Sequence, residues 1–340
     1  MENKKNIKIL IATGIFPPDI GGPAQYAKRL AEELSAKGND VKILSYSLEK
    51  RLPPILRHGL YFFRVFFSLA GVDLIIALDT FSVGLPAAAA AKLLGKKVII
   101  RVGGDFLWES YVERTGDLIK LREFYDKKPA LSDKENIILY LTRLTLKICP
   151  ALVFSTDWQK NIWSHEYNIG ADKLFVIENF YGRKIQSAEP KHKNFIWAGR
   201  LLKLKNIEVL RSAFDKARIT DKDIFLETYY DLSLQELLEK LRTCYAVILP
   251  SLTDVSPNFI LDAMVFNRPF ILTKETGFLD KLKDVGIFID PLNSEEIEKK
   301  ILFLANKEHY DDYKKKIAEY NFTHSWQEIA GEFINIYENL

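Results

Sequence analysis

Three groups of residues have the types and spacing to handle a phosphorylated ligand. The first is Gly21-Gly22-Pro23, in the loop TGIFPPDIGGPAQYAKRL. Paired glycines let backbone approach a ligand closely, and the helix start beyond them offers unpaired N–H groups to an anion. It is not the dinucleotide G-x-G-x-x-G pattern; the other reading is a plain strand-to-helix turn, although the loop is longer than such a turn requires. The second group is Arg200 and Lys205 in WAGRLLKLKNIEVL. A fork-shaped guanidinium and a point-charge ammonium suit a diphosphate, while each cation alone also reads as a solvated surface group. The third is PSLTDVSPNFILDAM. Here Ser256 is expected to cap a helix with Pro257 in its first turn, so that Asp254 precedes the helix and Asp262 lies about two turns along it. One carboxylate can then reach a sugar while the helix start faces phosphate and the other carboxylate holds a further hydroxyl-bearing group. Taken singly, each aspartate also reads as a surface acid.

These residues follow short Ile/Val/Leu-rich runs, each succeeded by a longer helical pattern. Such alternation is the signature of a parallel sheet wrapped by helices, so the chain reads as α/β throughout. In the first half the strand candidates are residues 7–12, 41–45, 74–77, 98–102 and 152–154. They are continuous rather than alternating apolar runs, as strands covered on both faces should be. A polar connector, ENFYGRKIQSAEPKHK, interrupts the pattern, and a second series follows at 195–198, 224–227, 246–249, 270–272 and 286–289. The expected organisation is two Rossmann-like, doubly wound domains facing a central cleft, covering residues 1–178 and 179–322, with a last helix at 323–340. Ligands in such folds bind outside the carboxyl ends of the strands, in the loops that carry the three groups.

Composition narrows the function. The chain has 340 residues, 48% of them hydrophobic, and 48 Lys+Arg against 45 Asp+Glu. That length suits about two domains, and the apolar fraction excludes disorder and fibrous repeats. A net charge of +3 gives no reason to expect a nucleic-acid partner. Cys149 and Cys244 lie far apart and read as buried inert thiols. No signal peptide is visible at residues 1–8, so a cytoplasmic location is expected. The longest apolar run, residues 60–70, carries Arg64 and falls short of the ~20 residues that span a bilayer. Preceded by Arg51, Arg57 and His58, it reads either as a helix packed on a sheet or as one lying in a membrane interface.

Taken together these segments resemble the retaining glycosyltransferases of the GT-B fold, family 4 (glycosyl transferases group 1). The similarity covers nearly the whole chain, through FPPDIGGPAQYAKRLAEEL, STDWQKNIW with VIENF, AGRLLKLKN, PSLTDVSPNFILDAM and FTHSWQEIAGEFINIY. The resemblance implies that Arg200 and Lys205 bind the donor's diphosphate in place of a metal. It puts Asp254 on the transferred sugar, Asp262 on the ribose hydroxyls, the amides of residues 256–259 (Ser256, Asn258 and Phe259 among them) on the phosphates, and Gly21 and Gly22 on the diphosphate from the other domain. The last helix is implied to cross back to the first domain.

The sequence departs from that pattern in three ways. Asp254 and Asp262 stand where the family has glutamates, each shorter by one methylene, roughly 1.5 Å of reach. The loop RVGGDFLWES has no histidine where many members carry one near the reacting sugar. His58, His165, His192, His309 and His324 all lie elsewhere, which leaves Asp105 as the nearest substitute, with a helix cap or surface acid as its other reading. Finally, a strand-loop-helix unit that helps build the base pocket is missing between Ala217 and Cys244, so the second domain is expected to be shortened.

The implied reaction moves a sugar from a nucleotide-diphosphate donor, a substrate rather than a cofactor, to a hydroxyl acceptor, with retained anomeric configuration and no metal. Trp108, Tyr111 and Arg114, in the long stretch 105–150, are the candidates for holding the acceptor, a glycan or lipid-linked molecule reached at the inner face of the membrane. Ordinary packing of Trp108 and a solvated basic loop is the other reading of that stretch. A second functional reading is a non-catalytic member that binds nucleotide or glycan, or supports a partner enzyme. A dehydrogenase with two Rossmann domains lacks the glycine fingerprint after either first strand.

Overall fold

The computed structural model describes residues 6–19, 21–47, 49, 52–230 and 232–340. Arg51 and the first five residues of the polar start lie outside this set. The chain forms two compact units: one takes the chain up to Leu107, Ala130–Glu178 and Ser325–Leu340, the other Trp108–Pro129 and Asn179–His324.

The first unit is built on a parallel sheet of β1 (Lys8–Thr13), β2 (Asp40–Ser45), β3 (Leu74–Ala77), β4 (Lys97–Arg101), β5 (Ala151–Phe154) and β6 (Leu174–Val176), in the order β2-β1-β3-β4-β5-β6. Strands β3 (LIIA) and β5 (ALVF) are buried at every position, which is why their sequences are continuous apolar runs. Helices α2 (Pro54–Ser68), α3 (Gly84–Leu94), α6 (Asp133–Ile148) and α7 (Asp157–Tyr167) pack on one face, through Tyr61, Val65, Ala87, Ala91, Leu146 and Trp163. The other face carries α1 (Gly22–Ala36) and the last helix, α14 (Trp326–Glu338), through Leu30, Leu34, Ile329 and Phe333. Strand β6 is absent from the sequence reading. Its three half-buried residues follow directly on a 3-10 turn, Ala171–Lys173, and are too few to show a period.

The second unit carries β7 (Lys193–Ala198), β8 (Ile224–Tyr229), β9 (Ala246–Leu249), β10 (Phe270–Thr273) and β11 (Ile287–Ile289), all parallel, in the order β11-β10-β9-β7-β8. Among the described residues, one strand, β8, and one helix, α9 (Leu234–Thr243), lie between residues 224 and 243. Helices α8 (Ile207–Thr220), α10 (Asn258–Val265), α11 (Leu279–Leu282), α12 (Ser294–Ala305) and α13 (Lys307–Glu319) complete its layers.

The stretch from Asp105 to Pro150, which the sequence places wholly in the first domain, is shared. Its first helix, α4 (Phe106–Thr115), begins in the first unit, while Trp108–Pro129, including α5 (Leu121–Lys127), packs with the second. Polar pairs far apart in sequence fix it there: Leu121 N donates to Thr253 Oγ1 at 3.0 Å, Leu204 N to Glu113 Oε1 at 3.2 Å, and Lys120 Nζ pairs with Asp290 Oδ2 at 3.0 Å. Both cysteines are buried, and burial pushes each thiol up to about 12. Among the described residues, no helix is long and apolar enough to cross a membrane.

Candidate functional site

In the second unit the chain steps from β7 to β8 on one side and then crosses back to β9 on the other. The carboxyl ends of β7 and β9 are therefore neighbours at a topological switch point, where a crevice opens between diverging loops. The loop after β7 carries Arg200 and Lys205; the loop after β9 carries Asp254 and Ser256. The sequence spacing places both pairs at strand ends, and the strand order makes those ends adjacent.

One buried side chain ties these loops together. Asn206 is 4% exposed and adopts φ 57°, the left-handed region that asparagine tolerates better than most residues. Its Nδ2 donates to Pro250 O at 3.2 Å and to Pro291 O at 2.6 Å. Leu252 N adds a bond to Leu204 O at 2.9 Å, so the loops after β7, β9 and β11 share one frame. Beyond it, Asp254 N donates to Glu275 O at 2.9 Å and Gly277 N to Val255 O at 3.2 Å, continuing the sheet pairing into the loop.

Within this frame Lys205 Nζ meets Asp254 Oδ2 at 3.2 Å, both groups largely withdrawn from water. Arg200 is exposed and makes no side-chain hydrogen bond or ion pair among the described residues. The site thus offers one paired and one unengaged cation, with a carboxylate between the lysine and the start of α10. Such a set suits a dianionic group that takes both cations while leaving Asp254 free to accept a hydroxyl.

The start of α10 differs from the sequence expectation. The helix begins at Asn258 with Pro257 as its N-cap and no capping side chain, so Ser256 is not the cap. Ser256 Oγ instead accepts from Asn179 Nδ2 at 3.0 Å, and the same nitrogen donates to Asn258 Oδ1 at 2.8 Å. Asn258 N donates to Ser256 O at 2.9 Å, and Ile260 N and Leu261 N both donate to Pro257 O, so the helix start faces an anion chiefly through Phe259 N and its partial positive charge. Asn179 is itself 6% exposed, and its carbonyl meets His324 Nδ1 at 3.3 Å. Phe259 is half-buried and packs on the helix side of the core.

Asp262 is half-buried on α10 with no polar partner among the described residues. Burial without compensation pushes its carboxyl up to about 7. Because the folded value lies above the usual carboxylate value of ~4, the folded state holds an extra proton between about pH 4 and 7. Stability therefore falls as pH rises through that window and is flat above it. Asp262→Asn is expected to match the wild type near pH 4 and to be the more stable protein at pH 8, as urea titrations at the two pH values would show. An equal difference at both would mean that Asp262 is already ionised at low pH.

In the first unit the switch point lies between β1 and β3. Gly21 is the N-cap of α1 at φ 138° and Pro23 occupies its first turn, while Gly22 is exposed. Such a φ is rarely open to residues with a side chain, so the glycine is conformationally required. Next to this loop stands Asp79, which the sequence reading does not single out. Its Oδ1 accepts from Phe81 N at 2.9 Å and Val83 N at 3.0 Å, and a Cβ on Gly14 would lie 3.2 Å from its Oδ2. Burial raises its carboxyl, and the amides of Val83, Ser82, Gly84 and Phe81 pull against that rise. Asp105 is 2% exposed and immediately precedes α4, so it is not a surface acid.

Of the residues assigned to the acceptor, Trp108 and Tyr111 are spent on packing. Trp108 Nε1 donates to Ile119 O at 2.9 Å and Tyr111 OH to Asp117 Oδ2 at 3.2 Å, both residues being buried. Arg114 is exposed, with its guanidinium 5.5 Å from the Tyr111 ring centre. Among the described residues no group of three or more His, Cys, Asp or Glu is placed to hold a metal ion.

Two parallel-sheet α/β units with loops gathered at switch points define the GT-B class of fold, and solved structures share it along the whole chain. A sucrose-phosphate synthase from Thermosynechococcus elongatus superposes with a TM-score of 0.71 at 11% identity, covering 98% of this chain and 99% of that one. A glycosyltransferase from Rickettsia africae gives 0.62 at 12% identity, covering 98% of each chain. The lipopolysaccharide outer core galactosyltransferase WaaB gives 0.63 at 15% identity, covering 98% of this chain and 100% of that one. No protein-family model and no curated protein matches the sequence.

Proposed function

We propose that the chain is a glycosyltransferase that moves a sugar from a nucleotide-diphosphate donor to a hydroxyl acceptor with retention of anomeric configuration. The observation that carries this reading is the Lys205–Asp254 pair at the switch point of the second unit, with Arg200 exposed on the same loop as the lysine and α10 starting just beyond the aspartate. The fold likeness to sugar-transferring enzymes supports it.

Departure of the donor's diphosphate builds negative charge on the leaving oxygens. Arg200, Lys205 and the Phe259 amide stabilise that charge as it develops, without a metal. Lys205 turns from Asp254 toward the phosphate, and the released carboxylate accepts a hydroxyl of the transferred sugar. Asp262 holds the ribose hydroxyls; with its carboxyl pushed up to about 7, its protonated fraction donates as well as accepts. Gly21 and Gly22 bring backbone amides to the diphosphate, Asp105 serves near the reacting centre, and Arg114 contacts a glycan or lipid-linked acceptor.

The test is a panel of nucleotide sugars screened by thermal shift, followed by measurement of nucleotide release for each stabilising compound. One donor is expected to raise the melting temperature and to be cleaved in the presence of glycan or lipid-linked acceptors. Stabilisation without release, whatever the acceptor, would identify a binding protein instead.

A further inference from the structure

The helical layer on one face of the first unit has an outer surface that packing does not explain. Tyr61 and Val65 of α2, with Leu69 just after its end, are buried in the core of that face. Leu56, Leu60, Phe63 and Phe67 recur at i, i+4, i+7 and i+11 and face away from it. Phe63 is 56% and Phe67 75% exposed, and their rings stack on each other at 6.4 Å rather than turning inward.

The pattern continues across the neighbouring helices. Helix α3 packs against both α2 and α6. It ends in Leu93, 69% exposed, and Leu94. Helix α6 repeats the arrangement: Ile138 and Leu146 are buried, whereas Ile137, Tyr140 and Leu144 form an outer stripe in which Tyr140 is 67% exposed. All three helices pack on the same face of one sheet, so their outer sides form a continuous layer. Soluble monomers rarely leave so extended an apolar surface in water.

We infer that this surface docks the protein on an anionic lipid bilayer, with α2 and α6 lying in the interface. The choice of occupant rests on charge. The exposed charged groups of the three helices are Lys92, Lys134, Arg143 and Lys147 against Asp133 alone, which sits in the first turn of α6. Lys134 and Lys147 stand three residues before Ile137 and three after Leu144, so the α6 stripe is bracketed by cations. Apolar and aromatic side chains that enter the acyl boundary beside lysines that meet headgroups are what an interfacial helix requires. The inference is independent of sugar transfer, and its test reads lipid binding alone.

The experiment is flotation of the full chain with vesicles of phosphatidylcholine, alone or mixed with phosphatidylglycerol, at low and high salt. The protein is expected to float with the mixed vesicles at low salt and to be largely released by high salt. Phe63→Ser with Phe67→Ser is expected to weaken binding at least ~10-fold, from the lost apolar burial. Lys134→Glu and Lys147→Glu are each expected to weaken it about fivefold or more. These side chains are exposed, so the melting temperatures should stay near the wild-type value, and the lysine variants decide the matter should the phenylalanine variant fail to fold. Absence of flotation at low salt would overturn the inference, as would equal binding by all variants. So would a dimer, seen by light scattering, that the phenylalanine pair converts to monomer, since the surface would then belong to a second copy of the chain.

Discussion

Lys205→Ala is expected to lower kcat/KM for the nucleotide-sugar donor by about 10²–10³-fold. Two effects combine. On the proposed function the variant loses the point charge that would stabilise the departing diphosphate, a loss of the size seen when one donor to a developing oxyanion is removed. It also leaves Asp254, whose side chain is 13% exposed, without the cation that holds it at 3.2 Å. That carboxylate then faces the phosphates unpaired and repels them. The stability cost of stranding it is ~1–3 kcal/mol. The double variant Lys205→Ala, Asp254→Asn separates the two: it should recover most of the stability and none of the turnover, measured by urea unfolding and by nucleotide release. Turnover by Lys205→Ala at the wild-type rate would remove the lysine from the mechanism.

Asn206→Ala is expected to be the most damaging change outside the ligand-contacting groups. It strands the buried carbonyls of Pro250 and Pro291, each costing roughly 1–3 kcal/mol when left without a donor. It also places alanine at φ 57°, where a Cβ is strained by about 1 kcal/mol. The sum, roughly 3–7 kcal/mol, should lower the melting temperature by something like 6–28 °C for a unit of this size. Because the same side chain joins the loops after β7, β9 and β11, donor affinity should fall with stability. Asn206→Asp tests the geometry: it keeps the shape and the backbone preference but replaces the donor with an acceptor, and should be nearly as destabilising. Full stability of both variants in calorimetry would show that the loops are held by something else.

Much of this site is legible in the sequence because its parts are local. Arg200 and Lys205 follow an apolar run directly, and Asp254 and Asp262 flank a helix start marked by proline, so each falls near a strand end by periodicity alone. The order of the strands, which makes the β7 and β9 ends neighbours, follows from the rules of doubly wound sheets. What the sequence does not disclose depends on pairs distant along the chain. Asn206 is not singled out by the sequence; its reach to Pro250 and Pro291 appears only when three loops meet. Asn179 occupies Ser256 from a connector that reads only as polar, which is why the capping expectation for Ser256 fails. Trp108 and Tyr111 were legible as aromatic side chains able to stack on a sugar, yet Ile119 and Asp117 engage them within their own segment. Asp79 gives no pattern in sequence beyond its place after β3, and its role as acceptor for the following turn needs the folded loop.

The central claim is that Arg200 and Lys205, framed by the loops after β7 and β9, hold a diphosphate. Isothermal titration of the wild type and of the Arg200→Ala, Lys205→Ala variant with uridine, guanosine and adenosine diphosphates tests it most directly. One of the three is expected to bind the wild type, with affinity reduced at least ~100-fold in the variant, the size of two lost charge-assisted contacts. Equal affinity in the two proteins, or a wild type that binds none of the three, would contradict it.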